Sequence, residues 1–195
     1  MGLVHLVRHT AVAQHWSGRC YGQSDVALSR EGREAAKVLA ASIAAAGVSR
    51  LYVSPLRRAR FLGGLVLREN PGLEMLVDPR LKECHFGTWE GSTWDAIHAE
   101  SGDAMMGLVR APGSFRPGLN GETTYDMRDR VMAWLDDAIK DGNAVLAICH
   151  GGPIAAIRGT ISGATPEAWP ALVPRYGETV TLDVPNAWRD QVAMK

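Results

Sequence analysis

Two histidines each follow a short apolar run, at opposite ends of the chain. Arg8 and His9 come directly after the run 3–7, and His150 comes directly after the run 144–149. A neutral imidazole can act as a nucleophile toward phosphorus, and a guanidinium group can bind two phosphate oxygens at once. The spacing of these residues matches no metal-ligand motif. If the target is a phosphate monoester, these residues supply a nucleophile and positive charge for its oxygens.

Further anion-binding groups follow a third apolar run and the second histidine. Arg57 and Arg58 come shortly after the run 51–53, while Gly151 and Gly152 follow His150 and open a predicted helix. Amides at a helix N-terminus attract anions, and glycines leave them accessible. Because the carboxyl ends of parallel strands meet at one edge of a sheet, we expect all three segments to converge there.

The elements that must position these residues alternate between strands and helices. This alternation predicts an α/β fold, a three-layer α/β/α domain with a mostly parallel central sheet flanked by helices. Short apolar runs predict strands at residues 3–7, 51–53, 75–77, 144–149 and 180–184. Helical patterns predict helices at residues 56–67, 123–139 and 153–161, and one capped by Ser29 that buries Ala35, Leu39, Ile43 and Ala46 before Gly47.

One segment departs from this regular alternation. Residues 102–121 are rich in glycine and proline, which predicts a long loop on the surface of the domain. We interpret this loop as a candidate cover over a site. No repeat or linker divides the chain, so we expect residues 1–195 to form a single catalytic domain.

Composition excludes several classes of protein. Lysine plus arginine and aspartate plus glutamate both total 21, so there is no cationic excess for binding nucleic acid. Neither a membrane span nor a secretion signal is visible, and we expect a cytoplasmic protein, monomeric or homodimeric. Wide spacing of the three cysteines makes a disulfide framework or structural zinc site unexpected: Cys20, Cys84 and Cys149.

Four segments together resemble the histidine phosphatase (phosphoglycerate mutase-like) superfamily. They occur in the family's order and span residues 3–155. The segments are Leu-Val-Arg-His-Thr at 6–10, Ser-Pro-Leu-Arg-Arg-Ala at 54–59, Leu-Lys-Glu-Cys-His-Phe-Gly-Thr-Trp-Glu-Gly at 81–91, and Cys-His-Gly-Gly at 149–152.

The resemblance implies a role for five residues and requires no cofactor and no metal. His9 would attack phosphorus and carry the phosphoryl group, while Arg8, Arg58 and His150 would hold its oxygens. Glu83 would protonate the leaving oxygen and later deprotonate the attacking water. Within the same segment Glu90 competes with Glu83 as the acid, although the register of the motif favours Glu83, and Trp89 is expected near the site.

Thr10 departs from the family pattern, which usually has glycine after the first histidine. A β-branched residue is costly at a positive φ. We therefore expect an ordinary extended backbone at this position, with the Thr10 hydroxyl close to the phosphate or to His9.

Two further segments resemble α-ribazole phosphatases, which act on a nucleotide-loop precursor of cobalamin. They are residues 20–29 and residues 120–122. This resemblance favours α-ribazole 5'-phosphate as the substrate. It also implies that Tyr21, Gly22 and Gln23 lie beside the phosphate pocket and Glu122 near its outer rim. Thr10 and Gly151, placed near the phosphate by the arguments above, complete the expected substrate-binding residues.

Other functions remain compatible with the residues. A phosphoglycerate mutase-like transferase, a broad-specificity metabolite phosphatase, a binding module without activity and a metallohydrolase are the alternatives. His15 and His85 lie in segments from which either could reach the pocket mouth, and Cys149 fits a buried strand residue better than a nucleophile.

Overall fold

A five-stranded sheet forms the centre of the protein. The computed structural model describes residues 2–184. The strands lie in the order β3-β2-β4-β1-β5, and the first four are parallel, whereas β5 runs antiparallel to β1. The strands are β1 (Gly2–Arg8), β2 (Arg50–Val53), β3 (Glu74–Val77), β4 (Val145–Cys149) and β5 (Thr179–Val184).

Helices cover both faces of the sheet, which confirms the predicted three-layer α/β/α fold. They are α1 (Arg30–Ala44), α2 (Arg57–Glu69), α3 (Trp94–Ser101), α4 (Gly107–Arg110), α5 (Thr124–Ala138) and α6 (Gly151–Ser162). Alternate residues of β4 face opposite layers, as a strand requires. Ala147 packs with the cluster of α5 and α6, whereas Leu146 and Ile148 pack with that of α1 and α2.

Side-chain caps begin the two longest helices. The Ser29 hydroxyl accepts a hydrogen bond from the Gly32 amide at 2.8 Å, as expected for α1. At α5, Thr123 and Asp126 form a reciprocal capping box, in which each side chain accepts from the other residue's amide. These contacts satisfy amides that the helices leave unpaired and so define where each begins.

The buried face of α1 differs from the predicted one. Ala35 is exposed and Leu39 only half-buried; the residues that face the core are Gly32, Ala36, Ala40, Ile43 and Ala44. Because most residues on this face are small, α1 can lie close to α2. A pattern of hydrophobic residues at helical spacing does not identify such a face. The helix predicted at 153–161 also begins earlier, at Gly151.

The segment 102–121 contains more regular structure than expected. A 3-10 helix covers Gly102–Met106 and α4 follows it directly. The preceding helix α3 has only one buried residue, Ile97, and carries His98 on its exposed surface, as the sequence predicts. No helix within residues 2–184 has the length and apolar character needed to cross a membrane. The predicted domain also includes residues 1 and 185–195, which lie outside the described residues.

Strand register brings the predicted segments to one edge of the sheet. Arg8 at the end of β1 pairs with Cys149 at the end of β4. The His9 amide donates to the Cys149 carbonyl at 3.1 Å, and the Ser54 amide donates to the Ile148 carbonyl at 3.0 Å. These bonds extend the sheet by one residue at each strand, so the residues that follow three strands share one crevice.

Candidate active site

His9 and His150 form the centre of the site. Their ring centroids lie 5.1 Å apart in an edge-on arrangement. Both residues are buried, with 1% and 0% of their surface exposed. The predicted convergence of the two histidine motifs is therefore found in the structure.

The hydrogen bonding of His9 leaves one ring nitrogen open. Nδ1 lies 2.8 Å from the Thr10 carbonyl oxygen, which can only accept, so Nδ1 carries the proton. Burial, together with the charge of Arg58, holds the pKa of His9 well below its ordinary value. A neutral ring protonated at Nδ1 has its lone pair at Nε2, which is the form that a nucleophile requires.

His150 is fixed through both ring nitrogens. Its Nδ1 accepts from the Nε of Arg58 at 3.2 Å, and its Nε2 lies 2.7 Å from the Ser54 hydroxyl. Burial and Arg58 hold the pKa of His150 well below its ordinary value. In the neutral ring that accepts at Nδ1, the proton is on Nε2 and is donated to Ser54.

Arg58 is a fully buried cation without a carboxylate partner. Its Nη1 donates to the Ser24 carbonyl at 2.8 Å and its Nη2 to the Gly22 carbonyl at 2.5 Å. No carboxylate among residues 2–184 lies within 4 Å of it. Burial lowers the pKa of Arg58. A buried charge is costly unless it is paired, so this arrangement favours an anionic ligand.

Arg8 contributes a second cation to the same site. Its Nη1 donates to the Pro174 carbonyl at 2.7 Å, whereas its buried Nε has no hydrogen-bond partner among the described residues. Gly151 lies against this guanidinium, since a Cβ at residue 151 would be 3.4 Å from Arg8 Cζ. The same Cβ would lie 2.9 Å from Val173 Cγ1, so the close contact that favours glycine at the start of α6 is with Val173.

Glu83 lies on the other side of the start of α6. Its carboxylate accepts from the Cys84 amide at 2.9 Å and from the Gly152 amide at 3.2 Å. A Cβ at residue 152 would lie only 2.3 Å from Glu83 Oε1, so this contact depends on glycine. Glu83, Gly152 and Arg8 line one cleft. The Gly152 amide, expected to face an anion, holds this carboxylate instead.

Glu90, the competing acid, is bound to a neighbouring loop. Its carboxylate accepts from the amides of Gln23, Ser24 and Phe86 at 2.9, 2.8 and 3.2 Å, and from the Ser24 hydroxyl at 2.6 Å. These four donors occupy both oxygens and fix the loop whose carbonyls hold Arg58. Gln23, predicted to bind substrate, donates its side-chain amide to the Glu83 carbonyl at 3.0 Å and does not line the cleft.

Glu122 lies away from the rim where it was expected. One carboxylate oxygen accepts from the His85 amide at 2.9 Å, and the other accepts from the Nε of Arg130 at 3.0 Å. Arg130 also donates to the carbonyls of Arg80, Lys82 and Glu83 at 2.6, 2.7 and 3.0 Å. This pair supports the segment that carries Glu83. No sequence motif marks Arg130, because its partners are backbone carbonyls.

Two tyrosines cover the buried histidines. The hydroxyls of Tyr21 and Tyr176 are 2.8 Å apart. The Tyr176 ring lies 4.1 Å from Arg8 Cζ and 5.5 Å from the His9 ring, and the Tyr21 ring lies 5.0 Å from Arg58 Cζ. Burial raises the pKa of Tyr21. Both rings line the cleft, whereas His9 does not, so a ligand in the cleft meets this pair before it reaches His9.

Thr10 has the backbone that the sequence predicts. Leu119 is the only non-glycine residue with a positive φ in the described chain. The Thr10 hydroxyl is buried and has no partner among residues 2–184. Its backbone carbonyl, rather than its hydroxyl, is the group that contacts His9.

The structure also shows where four other residues discussed above lie: Trp89, His15, His85 and Cys149. Trp89 packs on Phe115, with ring centroids 5.9 Å apart, and does not line the cleft. His15 is exposed, and His85 lies outside the cleft lining. Burial raises the pKa of Cys149 to about 12, as expected for an inert strand residue.

The cysteines and acidic residues provide no metal site in the described part of the chain. All three cysteines are free and buried. No group of three or more histidine, cysteine, aspartate or glutamate side chains within residues 2–184 could hold a metal ion.

Comparison with known protein families gives a match over most of the chain. Residues 4–189 match the model of the histidine phosphatase superfamily, branch 1. The chain belongs to this superfamily. Family membership and the phosphatase relatives also identify it as an enzyme of the phosphatase type.

Its relatives include both phosphatases and mutases. A glucosyl-3-phosphoglycerate phosphatase of Mycolicibacterium vanbaalenii is 29% identical over 176 residues, which cover 86% of this chain and 77% of the relative. The probable phosphoglycerate mutase GpmB of Serratia proteamaculans is 27% identical over 162 residues, or 82% of this chain and 74% of the relative. These similarities agree with the superfamily assignment, and they include both hydrolysis and isomerisation of phosphate esters.

Solved structures share the fold. The mycobacterial glucosyl-3-phosphoglycerate phosphatase superposes with a TM-score of 0.81 at 26% identity, covering 92% of this chain and 88% of that one. The α-ribazole phosphatase of Shigella flexneri gives a TM-score of 0.79 at 20% identity, covering 94% and 91%. At 20% identity the second match supports the fold alone.

The lowered pKa values of His9 and His150 predict how stability depends on pH. Below about pH 6.5 a histidine of the unfolded chain binds a proton that the buried ring does not. The free energy of unfolding should therefore fall with decreasing pH, by about 1.4 kcal/mol per pH unit for each buried histidine. Denaturant titrations at several pH values give the slope of the free energy of unfolding against pH. This slope should correspond to about one proton fewer in His9→Gln than in the unchanged protein. The exposed His98→Gln should match the unchanged protein, and an equal slope for His9→Gln would contradict the account.

The Arg130–Glu122 pair predicts a loss of stability. Glu122→Gln leaves the half-buried Arg130 guanidinium with a weaker partner, and the free energy of unfolding should fall by about 2 kcal/mol in denaturant titrations. Glu34→Gln is the matched control, because the Lys37–Glu34 pair is exposed to solvent and should contribute little to stability. Equal effects of the two substitutions would refute the supporting role of Glu122.

Proposed function

We propose that the protein is a phosphomonoesterase that hydrolyses a small phosphorylated metabolite through a phosphohistidine at His9. The observation that carries this proposal is the neutral His9 ring, whose Nε2 accepts no hydrogen bond from residues 2–184 and lies beside two guanidinium groups that have no carboxylate partner within the same range. This arrangement supplies a nucleophile and neutralises an oxyanion. Those are the two main requirements of phosphoryl transfer.

The first step transfers the phosphoryl group to the enzyme. The lone pair of His9 Nε2 forms a bond to phosphorus while the bond from phosphorus to the leaving oxygen breaks. Protonated Glu83 donates its proton to that oxygen, and the carboxyl group becomes a carboxylate. The ring gains positive charge as the new bond forms, and the bond from Nδ1–H to the Thr10 carbonyl stabilises it.

The second step releases inorganic phosphate. The Glu83 carboxylate takes a proton from water, whose oxygen attacks phosphorus as the bond to His9 breaks. His9 returns to its neutral form, and Glu83 is protonated for the next turnover. Arg8 and Arg58 hold the phosphoryl oxygens in both steps. His150 positions Arg58 through its Nδ1, and its own N–H is donated to Ser54 rather than to the phosphoryl oxygens.

The favoured substrate is α-ribazole 5'-phosphate, on the resemblance of residues 20–29 and 120–122. The names of the relatives suggest two alternatives: hydrolysis of a phosphorylated glycerate and isomerisation of a phosphoglycerate. A small-molecule substrate, with neither nucleic acid nor membrane as a partner, agrees with the balanced charge. We propose a cytoplasmic location, because the three thiols are free, and a monomer or homodimer with 1–195 as one catalytic domain.

A substrate screen tests the function. Purified protein would be incubated with a panel of phosphate monoesters that includes α-ribazole 5'-phosphate, 3-phosphoglycerate and p-nitrophenyl phosphate. Release of free phosphate should dominate, persist in the presence of a chelator and be blocked by vanadate. Formation of a phosphoglycerate isomer without free phosphate would favour the mutase, and inhibition by the chelator would favour a metallohydrolase.

Replacement of His9 tests the nucleophile. His9→Ala should lower kcat by about 1,000-fold or more, because no other group occupies the position of Nε2. Phosphate release from p-nitrophenyl phosphate measures the loss, and circular dichroism checks the fold. His98→Ala is the control. Retention of a tenth of the activity by a folded His9→Ala protein would rule out the phosphohistidine at this residue.

Replacement of Glu83 tests the proton donor. Glu83→Gln should lower kcat/KM by about 100-fold for an alkyl phosphate but much less for p-nitrophenyl phosphate, because nitrophenolate leaves without a proton. Glu34→Gln provides the matched control on the surface. Equal losses on both substrates would remove Glu83 from this role.

A further inference from the structure

His9 cannot meet a substrate in the arrangement that the structure shows. Only 1% of its surface is exposed, and it is not among the described residues that line the cleft. In the proposed reaction, however, its Nε2 must bond to the phosphorus of a ligand that arrives from solvent. A group that covers His9 must therefore move before the reaction can begin.

Tyr176 is the covering residue that has room to move. Its ring lies 5.5 Å from that of His9, and 43% of its own surface is exposed. A side chain that borders solvent can rotate outward without displacing the core. The ring of His150 also lies beside His9, but it is fully buried and bonded through both of its nitrogens.

The backbone on both sides of Tyr176 is fixed to the end of β1. The Gly177 amide donates to the carbonyls of Arg8 and His9 at 3.1 and 3.2 Å, and the Pro174 carbonyl accepts from Arg8 Nη1 at 2.7 Å. Rotation of the Tyr176 side chain breaks none of these bonds. Movement is therefore expected in the side chain and not in the segment that carries it.

Three interactions hold Tyr176 and Tyr21 together over the pocket. Their hydroxyls are 2.8 Å apart, and each ring lies beside one guanidinium. The Tyr176 ring is 4.1 Å from Arg8 Cζ, and the Tyr21 ring is 5.0 Å from Arg58 Cζ. The face of an aromatic ring attracts a cation. The two tyrosines thus cover the cations that the proposed function assigns to the phosphoryl oxygens.

We propose that Tyr176 is a gate over His9, which opens by rotation of its side chain and is held closed by Arg8 and by the Tyr21 hydroxyl. The gate rests on the proposed function for the phosphate that enters, whereas the movement itself does not depend on it. Entry of a phosphate removes the ring from Arg8 and breaks the bond between the hydroxyls. Because only the open form binds, the apparent affinity is reduced by the fraction of molecules that are open.

Loss of one hydroxyl tests the gate through the affinity for inorganic phosphate. Tyr176→Phe keeps a ring beside Arg8 but loses the bond to Tyr21, which should increase the open fraction about fivefold. The dissociation constant measured by calorimetry should fall by the same factor. Tyr21→Phe and the double variant should show the same gain, because all three lose one shared hydrogen bond.

A second tyrosine beside an arginine provides the matched control. The ring of Tyr125 lies 3.8 Å from Arg128 Cζ, and Tyr125 does not line the cleft, so Tyr125→Phe should leave phosphate affinity unchanged. Weaker binding in Tyr176→Phe would make its hydroxyl a ligand of the phosphate and would overturn the gate. Unchanged binding would overturn it as well.

Diethyl pyrocarbonate tests access to His9 without relying on phosphatase activity. This reagent acylates unprotonated imidazole nitrogens, and mass spectrometry of the digested protein gives a rate for each histidine. His9 should react about 100-fold more slowly than the exposed His98, because a minor open form is typically populated at about 1%. Tyr176→Ala should raise the rate at His9 by at least about 10-fold. An equal rate at His9 in the two proteins would overturn the gate.

His150 distinguishes rotation of Tyr176 from unfolding. Unfolding exposes every histidine, whereas the rotation exposes His9 and leaves His150 bonded to Arg58 and Ser54. Modification in Tyr176→Ala should therefore increase at His9 alone. It should also be insensitive to low concentrations of urea, because rotation of one side chain exposes little surface. Modification of His9 and His150 at the same rate would assign access to unfolding and would overturn the gate.

The two measurements separate failure of the gate from failure of the proposed function. If neither phosphate nor any ester were bound or hydrolysed while Tyr176→Ala increased the modification of His9, the phosphatase proposal would fall and the gate would stand. If phosphate were bound and esters were hydrolysed, but Tyr176→Ala left the modification of His9 unchanged, the gate would fall and the phosphatase proposal would stand.

Discussion

The buried guanidinium of Arg58 is the constraint on which the site depends. Its charge lies inside the protein with no carboxylate of residues 2–184 in contact, and three neutral acceptors hold it: two carbonyls and His150 Nδ1. The same charge, added to burial, keeps the two histidine rings neutral. A carboxylate in contact with Arg58 would occupy the oxyanion position and remove this effect. This arrangement, a cation beside a neutral histidine, is what the proposed phosphoryl transfer requires.

The remaining structure serves to hold these groups. Strand register aligns the residues that follow β1, β2 and β4, while Glu90 fixes the loop whose carbonyls bind Arg58. The Arg130–Glu122 pair supports the segment that carries Glu83. Side chains that take no part in the proposed reaction therefore fix the positions of those that do. Such supporting contacts give a site its precision.

The sequence predicts the fold and the central residues because both depend on local patterns. Apolar runs identify the strands, and motifs after them identify His9, Arg58 and His150. Contacts between distant segments leave no such pattern. Tyr176, which lies over Arg8 and His9, sits in an irregular segment without a motif, and Arg130 binds backbone carbonyls that any sequence offers. Glu122 and Gln23 were assigned to substrate by resemblance, whereas hydrogen bonding commits them to the protein.

Trapping the covalent intermediate tests the central claim most directly. The protein would be mixed with a turned-over phosphate ester, quenched in alkali within milliseconds, digested and examined by mass spectrometry. The account predicts an acid-labile phosphoryl group on the peptide that contains residue 9, bonded to Nε2. Phosphate on a different residue, or repeated turnover with no phosphorylated protein at any quench time, would contradict it.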